Sequence, residues 1–466
     1  MYGKIGRIHM VGIGGSGMCG IAEVLLNMGY AVSGSDLART PVIDRLSSLG
    51  AMIAIGHREE QVHGAGVVVT STAVKETNPE YAEARRLKIP VIARAEMLAE
   101  LMRMKEGIAV AGAHGKTTTT SMIASVLSEG HLDPTVVVGG RLKAVDSNAR
   151  LGTGNFMVVE ADESDGSFLR LSPSIAIITN IDREHLDHWT DGIESIKDAF
   201  VRFANKVPFF GVNIVCLEDP IVQQILPRLE RRVVTYGYAG TADVQAREIE
   251  THDDLSTSFD AYHEEKMLGR VKVRMPGRHN VLNALASIAV GLELEMAPEA
   301  IFHALERFEG VARRFEIKGE TQGALVVDDY GHHPTELQAV LKAAKEHSGR
   351  RVVALFQPHR YSRTRDLLPE FGVCFYDADI LLITDVYAAG EAPIDGVDGQ
   401  AIVDEVTQHG HKSAQHVGTV DEAVNAAADL IKPGDLVMTL GAGSIHQAGE
   451  KLLAALDKKG MGERAS

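Results

Sequence analysis

The stretch "GIAVAGAHGKTTTT", residues 107–120, carries residue types suited to holding phosphate. Gly112-Ala113-His114-Gly115-Lys116-Thr117 stands between an apolar run of strand type and a helix that opens on threonines. Backbone N–H groups at a helix start bind phosphate oxygens, and glycine permits close approach. Lys116 can place its ammonium on the β- and γ-phosphates, while Thr117 or Thr118 ligates Mg2+ or caps the helix. The loop is shorter than the usual phosphate-loop pattern, because Val110 stands where a glycine is expected. The alternative is a helix cap on an ordinary strand–helix turn. The strand before, the helix after and the four threonines favour a nucleotide site.

Three further segments bear on this chemistry. "VVEADESDGSF" sets Glu160, Asp162, Glu163 and Asp165 at a strand end. Four carboxylates so close repel one another, and a cation relieves the repulsion. Glu160, last in the apolar run, is the best Mg2+ ligand; a solvated acidic turn is the bland reading. "TNIDREHLDHW" brings His185, Asp187 and His188 after another strand. His185 and Asp187 can serve a second metal, although two histidines alone are no zinc signature. "GIGGSG" contains Gly12, Gly14 and Gly17, with Asp36 ending the next strand. This meets the dinucleotide fingerprint, in which the acid holds a ribose hydroxyl. An NAD-dependent oxidoreductase is one reading. UDP carries a pyrophosphate as NAD does, so the turn does not choose between them.

Late in the chain, "VVDDYGHHPTE" offers Asp328, Asp329, Tyr330, His332 and His333, and "FQPHRYSRTRD" offers His359, Arg360, Arg363 and Arg365. Both follow strands, so the two loops can face one crevice. The guanidinium fork of Arg360 and Arg363 matches a carboxylate. "TLGAGSIHQ" closes the last strand with small residues and reads as packing first.

These loops need elements to hold them. Short β-rich runs alternate with helical patterns along all 466 residues, the mark of parallel α/β units. The pattern restarts near Gly107 and near Phe308, giving three units at residues 1–106, 107–311 and 312–466. Three cysteines far apart, with no CxxC pair, indicate neither a disulfide framework nor a zinc site. No apolar run is long enough to span a membrane, and glycines break the N-terminal apolar stretch, so no signal peptide is expected. A cytoplasmic setting fits. A net charge of -16 argues against general nucleic-acid binding.

Together these segments resemble the Mur ligases, ATP-dependent amide-forming enzymes of peptidoglycan synthesis. The resemblance rests on "GIGGSGM", "GAHGKTTTT", "VVEADESD", "TNIDREHLD", "GRHNVLNALA", "ARRFE", "DDYGHHPTE" and "QPHRYSRTRD", which run in family order over nearly the whole chain. It implies a Rossmann-like N-terminal domain, a central P-loop ATPase α/β domain and a Rossmann-like C-terminal domain. It implies that L-alanine is joined to the lactoyl carboxylate of UDP-N-acetylmuramate through an acyl phosphate, with domain closure around the reactants. The cofactors implied are ATP and two Mg2+ ions. Gly14, Gly15, Ser16, Gly17, Asp36, Ser71 and Thr72 would bind the UDP-sugar. Gly112 to Thr118, with Asn280, Asn283, Arg314 and Asp329, would bind ATP. Thr117, Glu160 and His185 would hold metal. Tyr330, His332, Arg360 and Arg363 would surround the amino acid, with His332 as base. Lys116, Glu160, His185 and His332 would be catalytic.

Ala113 departs from the hydroxyl residue common in the family's loop. Several relatives bridge metals with a carbamylated lysine, for which Lys197 and Lys206 are the nearby candidates. Rival readings are a recycling ligase that adds a preformed tripeptide, a folylpolyglutamate synthase, an oxidoreductase and a nucleotide-gated binding protein. The synthase leaves the first glycine loop unexplained, and the oxidoreductase leaves Lys116 and the acidic strand end idle. No partner macromolecule is expected, and the chain is expected to be a monomer or homodimer.

Overall fold

The computed structural model describes residues 6–71, 73–142, 147–164, 166–182, 189 and 192–464. His185, Asp187, His188, Asp165 and Thr72 lie outside the described residues, as does the side chain of Ser16. The chain forms two compact units: residues 1–248, 259–271 and 282–309, and residues 249–258, 272–281 and 310–466.

Three sheets carry the fold. The first holds β1 (Arg7–Val11), β2 (Ala31–Asp36), β3 (Met52–Ile55), β4 (Val67–Thr70) and β5 (Val91–Ala93), in the order β3-β2-β1-β4-β5. All its pairings are parallel. The strand order reverses between β1 and β4, and the glycine turn after β1 sits at that switch point, where open α/β sheets bind ligands.

The second sheet contains β6 (Glu106–Ala111), β7 (Thr135–Leu142), β8 (Ser147–Arg150), β9 (Phe156–Glu160), β10 (Ile175–Ile178), β11 (Val212–Cys216), β12 (Val233–Gly237), β13 (Val244–Thr251), β14 (Thr257–His263) and β15 (Lys266–Val273). Its order is β15-β14-β13-β12-β11-β10-β6-β9-β7-β8. β6 lies between β10 and β9 and is parallel to both. The loops after these three strands therefore emerge side by side. Each reads as a continuous apolar run because both faces are covered; Ile108, Ala109, Val110 and Ala111 are fully buried. β8 runs antiparallel to β7.

The third sheet, in the second unit, comprises β16 (Glu316–Thr321), β17 (Ala324–Asp329), β18 (Val352–Phe356), β19 (Ile380–Ile383), β20 (Ala414–His416) and β21 (Leu436–Leu440). The order is β16-β17-β21-β18-β19-β20, with only β16 antiparallel to its neighbour. β17 and β18 follow each other in sequence but are not neighbours, since β21 lies between them. Valine, leucine and phenylalanine side chains of these strands pack into cores on both faces, around Val327, Leu341 and Phe356 on one and Val326, Leu355 and Leu452 on the other. No helix among the described residues is long and apolar enough to cross a membrane.

Candidate active site

The phosphate-type loop joins β6 to the helix Lys116–Glu129. Gly115 precedes that helix at φ +81°, a left-handed conformation that glycine adopts freely. A Cβ there would also lie 2.7 Å from Asn283 Oδ1, so the backbone needs both the conformation and the space. β10 braces the loop from one side. Asn180 Oδ1 accepts the His114 N–H at 2.8 Å, and the Thr179 hydroxyl donates to the His114 carbonyl at 2.7 Å. The His114 ring meets Asp182 at 3.0 Å. Ala113 donates its N–H to the Asn180 carbonyl at 3.3 Å. Asn283 accepts a hydrogen bond from the Thr119 hydroxyl at 3.0 Å, which fixes its amide against the helix start.

Lys116 turns all three ammonium donors onto oxygen: the Gly112 carbonyl at 2.5 Å, the Ala113 carbonyl at 3.1 Å and Glu163 Oε1 at 2.9 Å. Burial disfavours its charge, but Glu163, Glu160 and Asp162 outweigh burial and hold the group above the ordinary lysine range. Glu163 is only 5% exposed, and burial pushes its carboxyl up to about 7 despite Lys116. Its second oxygen meets no donor among the described residues.

From β9, Glu160 reaches the same place. The Thr117 hydroxyl donates to its two oxygens at 3.1 and 3.0 Å, and the Gly139 N–H donates at 2.8 Å. A threonine hydroxyl and a carboxylate converging beside Lys116 form a hard oxygen donor set, which fits Mg2+ better than a softer metal. Asp162, on the same turn, is held in its charged form: burial opposes ionisation, and Lys116 and Ser164 overcome it. Thr118 is buried in the first turn of the helix. Of the two lysines considered for carbamylation, Lys197 pairs with Glu194 at 2.6 Å and Lys206 donates to the Leu169 carbonyl.

The first glycine turn belongs to the same unit. Asp36 uses one oxygen to accept the Gly14 N–H and the other to accept the Leu37 N–H, both at 2.8 Å. It thus ties β2 to the turn. Gly15 caps the helix Ser16–Asn27, and Gly17 lies in its first turn. Ser71 follows β4, across the switch point. Sequence reasoning passed over Arg94. Its guanidinium covers Gly17, where an added Cβ would come within 2.8 Å of Nη1, and it stands 3.8 Å from Asp162. One cation thus serves both the first glycine turn and the acidic turn. The sequence showed it only as the end of "IPVIAR", with nothing to tell where the side chain goes.

In the second unit the loops after β17 and β18 meet although their strands are separated. The rings of His332 and His359 lie 5.8 Å apart, and Tyr330 stands edge-on to His332 at 5.4 Å. Arg313 and Arg314 lie over the Tyr330 ring at 4.9 and 5.3 Å. Arg314 also reaches Glu336 at 3.4 Å. Asp329 is buried and accepts the Phe315 and Gly331 N–H groups, each at 2.7 Å; burial still raises its carboxyl to about 6. Arg363 donates to His359 Nδ1 at 3.2 Å. Arg360 opens the helix Tyr361–Asp366 at φ +71°, a backbone conformation that non-glycine residues seldom hold and that clusters at functional sites. Asn280 donates to the Pro276 carbonyl at 2.8 Å.

Family profiles match along the chain: "Mur ligase family, catalytic domain" over residues 7–106, "Mur ligase middle domain" over 110–291 and "Mur ligase, glutamate ligase domain" over 313–443. A UDP-N-acetylmuramate–L-alanine ligase of Geobacter sulfurreducens is 56% identical over 98% of this chain and 99% of its own length. That of Pelobacter propionicus is also 56% identical, over 98% of this chain and all of its own. Among solved structures, a UDP-N-acetylmuramate-alanine ligase of Thermotoga maritima superimposes with a TM-score of 0.82 at 29% identity, covering 97% of this chain and 99% of the other. A murein peptide ligase of Psychrobacter arcticus gives 0.69 at 25% identity, covering 97% and 98%. On profiles, relatives and fold alike, the chain belongs to the Mur ligase family.

Proposed function

We propose that this chain is the ligase that joins L-alanine to the lactoyl carboxylate of UDP-N-acetylmuramate, using ATP, in peptidoglycan synthesis. The observation that carries the reading is the convergence of Lys116, Thr117 and Glu160 on one loop. That is apparatus for moving a phosphoryl group between anions, and hydride transfer has no use for it. Full-length relatives at 53–56% identity carry the alanine ligase name, which favours L-alanine over a tripeptide as acceptor.

The domains proposed are residues 1–106 for the UDP-sugar, 107–311 for ATP and 312–466 for the amino acid, with Arg314 and Asp329 directed to the nucleotide. Gly14, Gly15, Ser16, Gly17, Asp36, Ser71 and Thr72 would hold the UDP-sugar, and Arg94 would add charge at its pyrophosphate end. Gly112 to Thr118, Asn280 and Asn283 would bind ATP. Thr117 and Glu160 would hold one Mg2+ ion, and His185 a second; bound there, the ions would offset phosphate charge.

A free carboxylate is a poor electrophile. Its oxygen attacks the γ-phosphorus, ADP leaves, and an acyl phosphate forms. Lys116 and the loop amides neutralise the charge that develops. The neutral amine then attacks the acyl carbon, and inorganic phosphate departs with the former carboxylate oxygen. Arg360 and Arg363 hold the amino-acid carboxylate. His332 accepts a proton from the amine as the C–N bond forms. Burial pushes His332 down to about 3, so it is neutral and ready to accept, and the nitrogen it serves becomes strongly acidic at that moment.

The test is phosphate release from ATP and Mg2+ with UDP-N-acetylmuramate and L-alanine, L-serine, glycine or tripeptide added singly. The expected result is release that needs both the UDP-sugar and L-alanine, with a new amide seen by mass. Release with tripeptide alone would move the chain to the recycling reaction, and no release with any acceptor would remove the substrate assignment.

A further inference from the structure

Four rings stand in a row in the second unit: Tyr330, His332, His359 and Tyr387. Tyr387 has no part in the mechanism above. It lies on the loop after β19 and stacks on His359, with centroids 5.5 Å apart and planes 11° from parallel. Its backbone is tied to the same loop. The Tyr387 N–H donates to the Pro358 carbonyl, and the Arg360 N–H donates to the Tyr387 carbonyl, both at 2.8 Å. A Cβ added to Gly443 would come within 2.7 Å of Tyr387 Cγ. One face of the ring thus stacks on His359, and its base abuts the loop after β21.

The neighbours of the two imidazoles fix their tautomers. A guanidinium only donates, so His359 Nδ1, 3.2 Å from Arg363 Nη1, carries the lone pair and the proton sits on Nε2. A carbonyl only accepts, so His332 Nδ1, 3.1 Å from the Tyr330 oxygen, carries the proton and Nε2 is left as acceptor. Burial keeps both neutral, pushing His332 to about 3 and His359 to about 4. Side by side, the loops thus present one acceptor nitrogen and one donor N–H. An α-amino acid offers the complementary pair, an amine that donates and a carboxylate that accepts.

We propose that Tyr387 is a positioning residue for the amino-acid acceptor: its ring holds His359 in the plane that turns the Nε2–H toward the acceptor's carboxylate, beside Arg360 and Arg363. This rests on the reading that residues 330, 332, 360 and 363 take the amino acid. Tyr387 is 41% exposed, so truncating it leaves the sheet core intact.

The experiment compares Tyr387→Leu, Tyr387→Met and Tyr387→Phe in the full chain, with KM measured separately for L-alanine, ATP and UDP-N-acetylmuramate. The expected result is a rise of about tenfold in the L-alanine KM for the two aliphatic variants, with kcat and the other KM values within about twofold and recovery in the phenylalanine variant. An unchanged L-alanine KM, an equal rise in all three KM values, or a phenylalanine variant as impaired as the others would overturn the proposal. Should one aliphatic variant misfold by circular dichroism, the other is read in its place. Arg363→Lys, measured in parallel, separates the two levels. If it leaves the L-alanine KM unmoved, the amino-acid site reading has failed. If it raises that KM while Tyr387→Leu does not, only the role of Tyr387 has failed.

Discussion

All three hydrogens of the Lys116 ammonium find oxygen inside its own unit, and one of the partners is the buried Glu163. Phosphate oxygens bound as proposed would compete with that carboxylate. Lys116→Ala removes the only cation the loop itself supplies. It should lower turnover by at least about a thousandfold while leaving UDP-sugar affinity within about threefold by calorimetry; normal turnover would sink the assignment of this loop. Glu163→Gln removes the competing anion, and the Kd for ATP should fall by about fivefold. Weaker ATP binding would show that Glu163 supports the lysine rather than competing for it. Asp329 gives a pH signature. Burial raises its folded value to about 6, whereas an unfolded carboxyl titrates near about 3.9. Between these values the unfolded chain releases a proton that the folded chain keeps, so folded-state stability falls as pH rises through this window and levels off above it. Asp329→Asn lacks this dependence. Its melting temperature relative to the parent should therefore climb between about pH 4 and pH 7, and a constant difference would contradict the buried, protonation-prone carboxyl.

At the scale of elements, function depends on how tightly the turns are braced. Gly115→Ala would strain φ +81° and press a Cβ onto Asn283, so kcat/KM for ATP should drop at least about tenfold with UDP-sugar binding unchanged. Asp36→Ala leaves the Gly14 and Leu37 N–H groups without their acceptor. It should raise the UDP-sugar KM about tenfold and leave ATP kinetics alone; an equal effect on both would mean a general loss of fold. The turns themselves were legible in the sequence, because glycine, threonine and acidic residues at strand ends have local causes. So were the buried parallel strands, whose apolar runs mark them. What sequence could not show was neighbourhood. Arg94 reaches Gly17 and Asp162 through the tertiary fold, and Tyr387 reaches His359 between the loops that follow the paired strands β18 and β19. The insertion of β21 between β17 and β18 has no local signal, since it is decided by which faces pack. The antiparallel strands β8 and β16 were missed for a similar reason: their short polar patterns carry little hydrophobic periodicity.

At the scale of the whole molecule, a chain of net charge -16 handles two anionic nucleotides. On the proposed function the attraction would come from local groups such as Lys116 and Arg94 rather than from a global field. On the proposed function, the three α/β segments, each ending strands in its own polar turn, would take three substrates, and a phosphoryl group would pass between two of them. The central claim is that the lactoyl carboxylate, and not water or the amine, takes that group. It predicts the fate of one atom. UDP-N-acetylmuramate labelled with oxygen-18 in the lactoyl carboxylate would be turned over with ATP and L-alanine, and the released phosphate analysed by mass. Phosphate carrying one labelled oxygen per amide formed is the expected result; unlabelled phosphate accompanying the same amide would contradict the acyl-phosphate route.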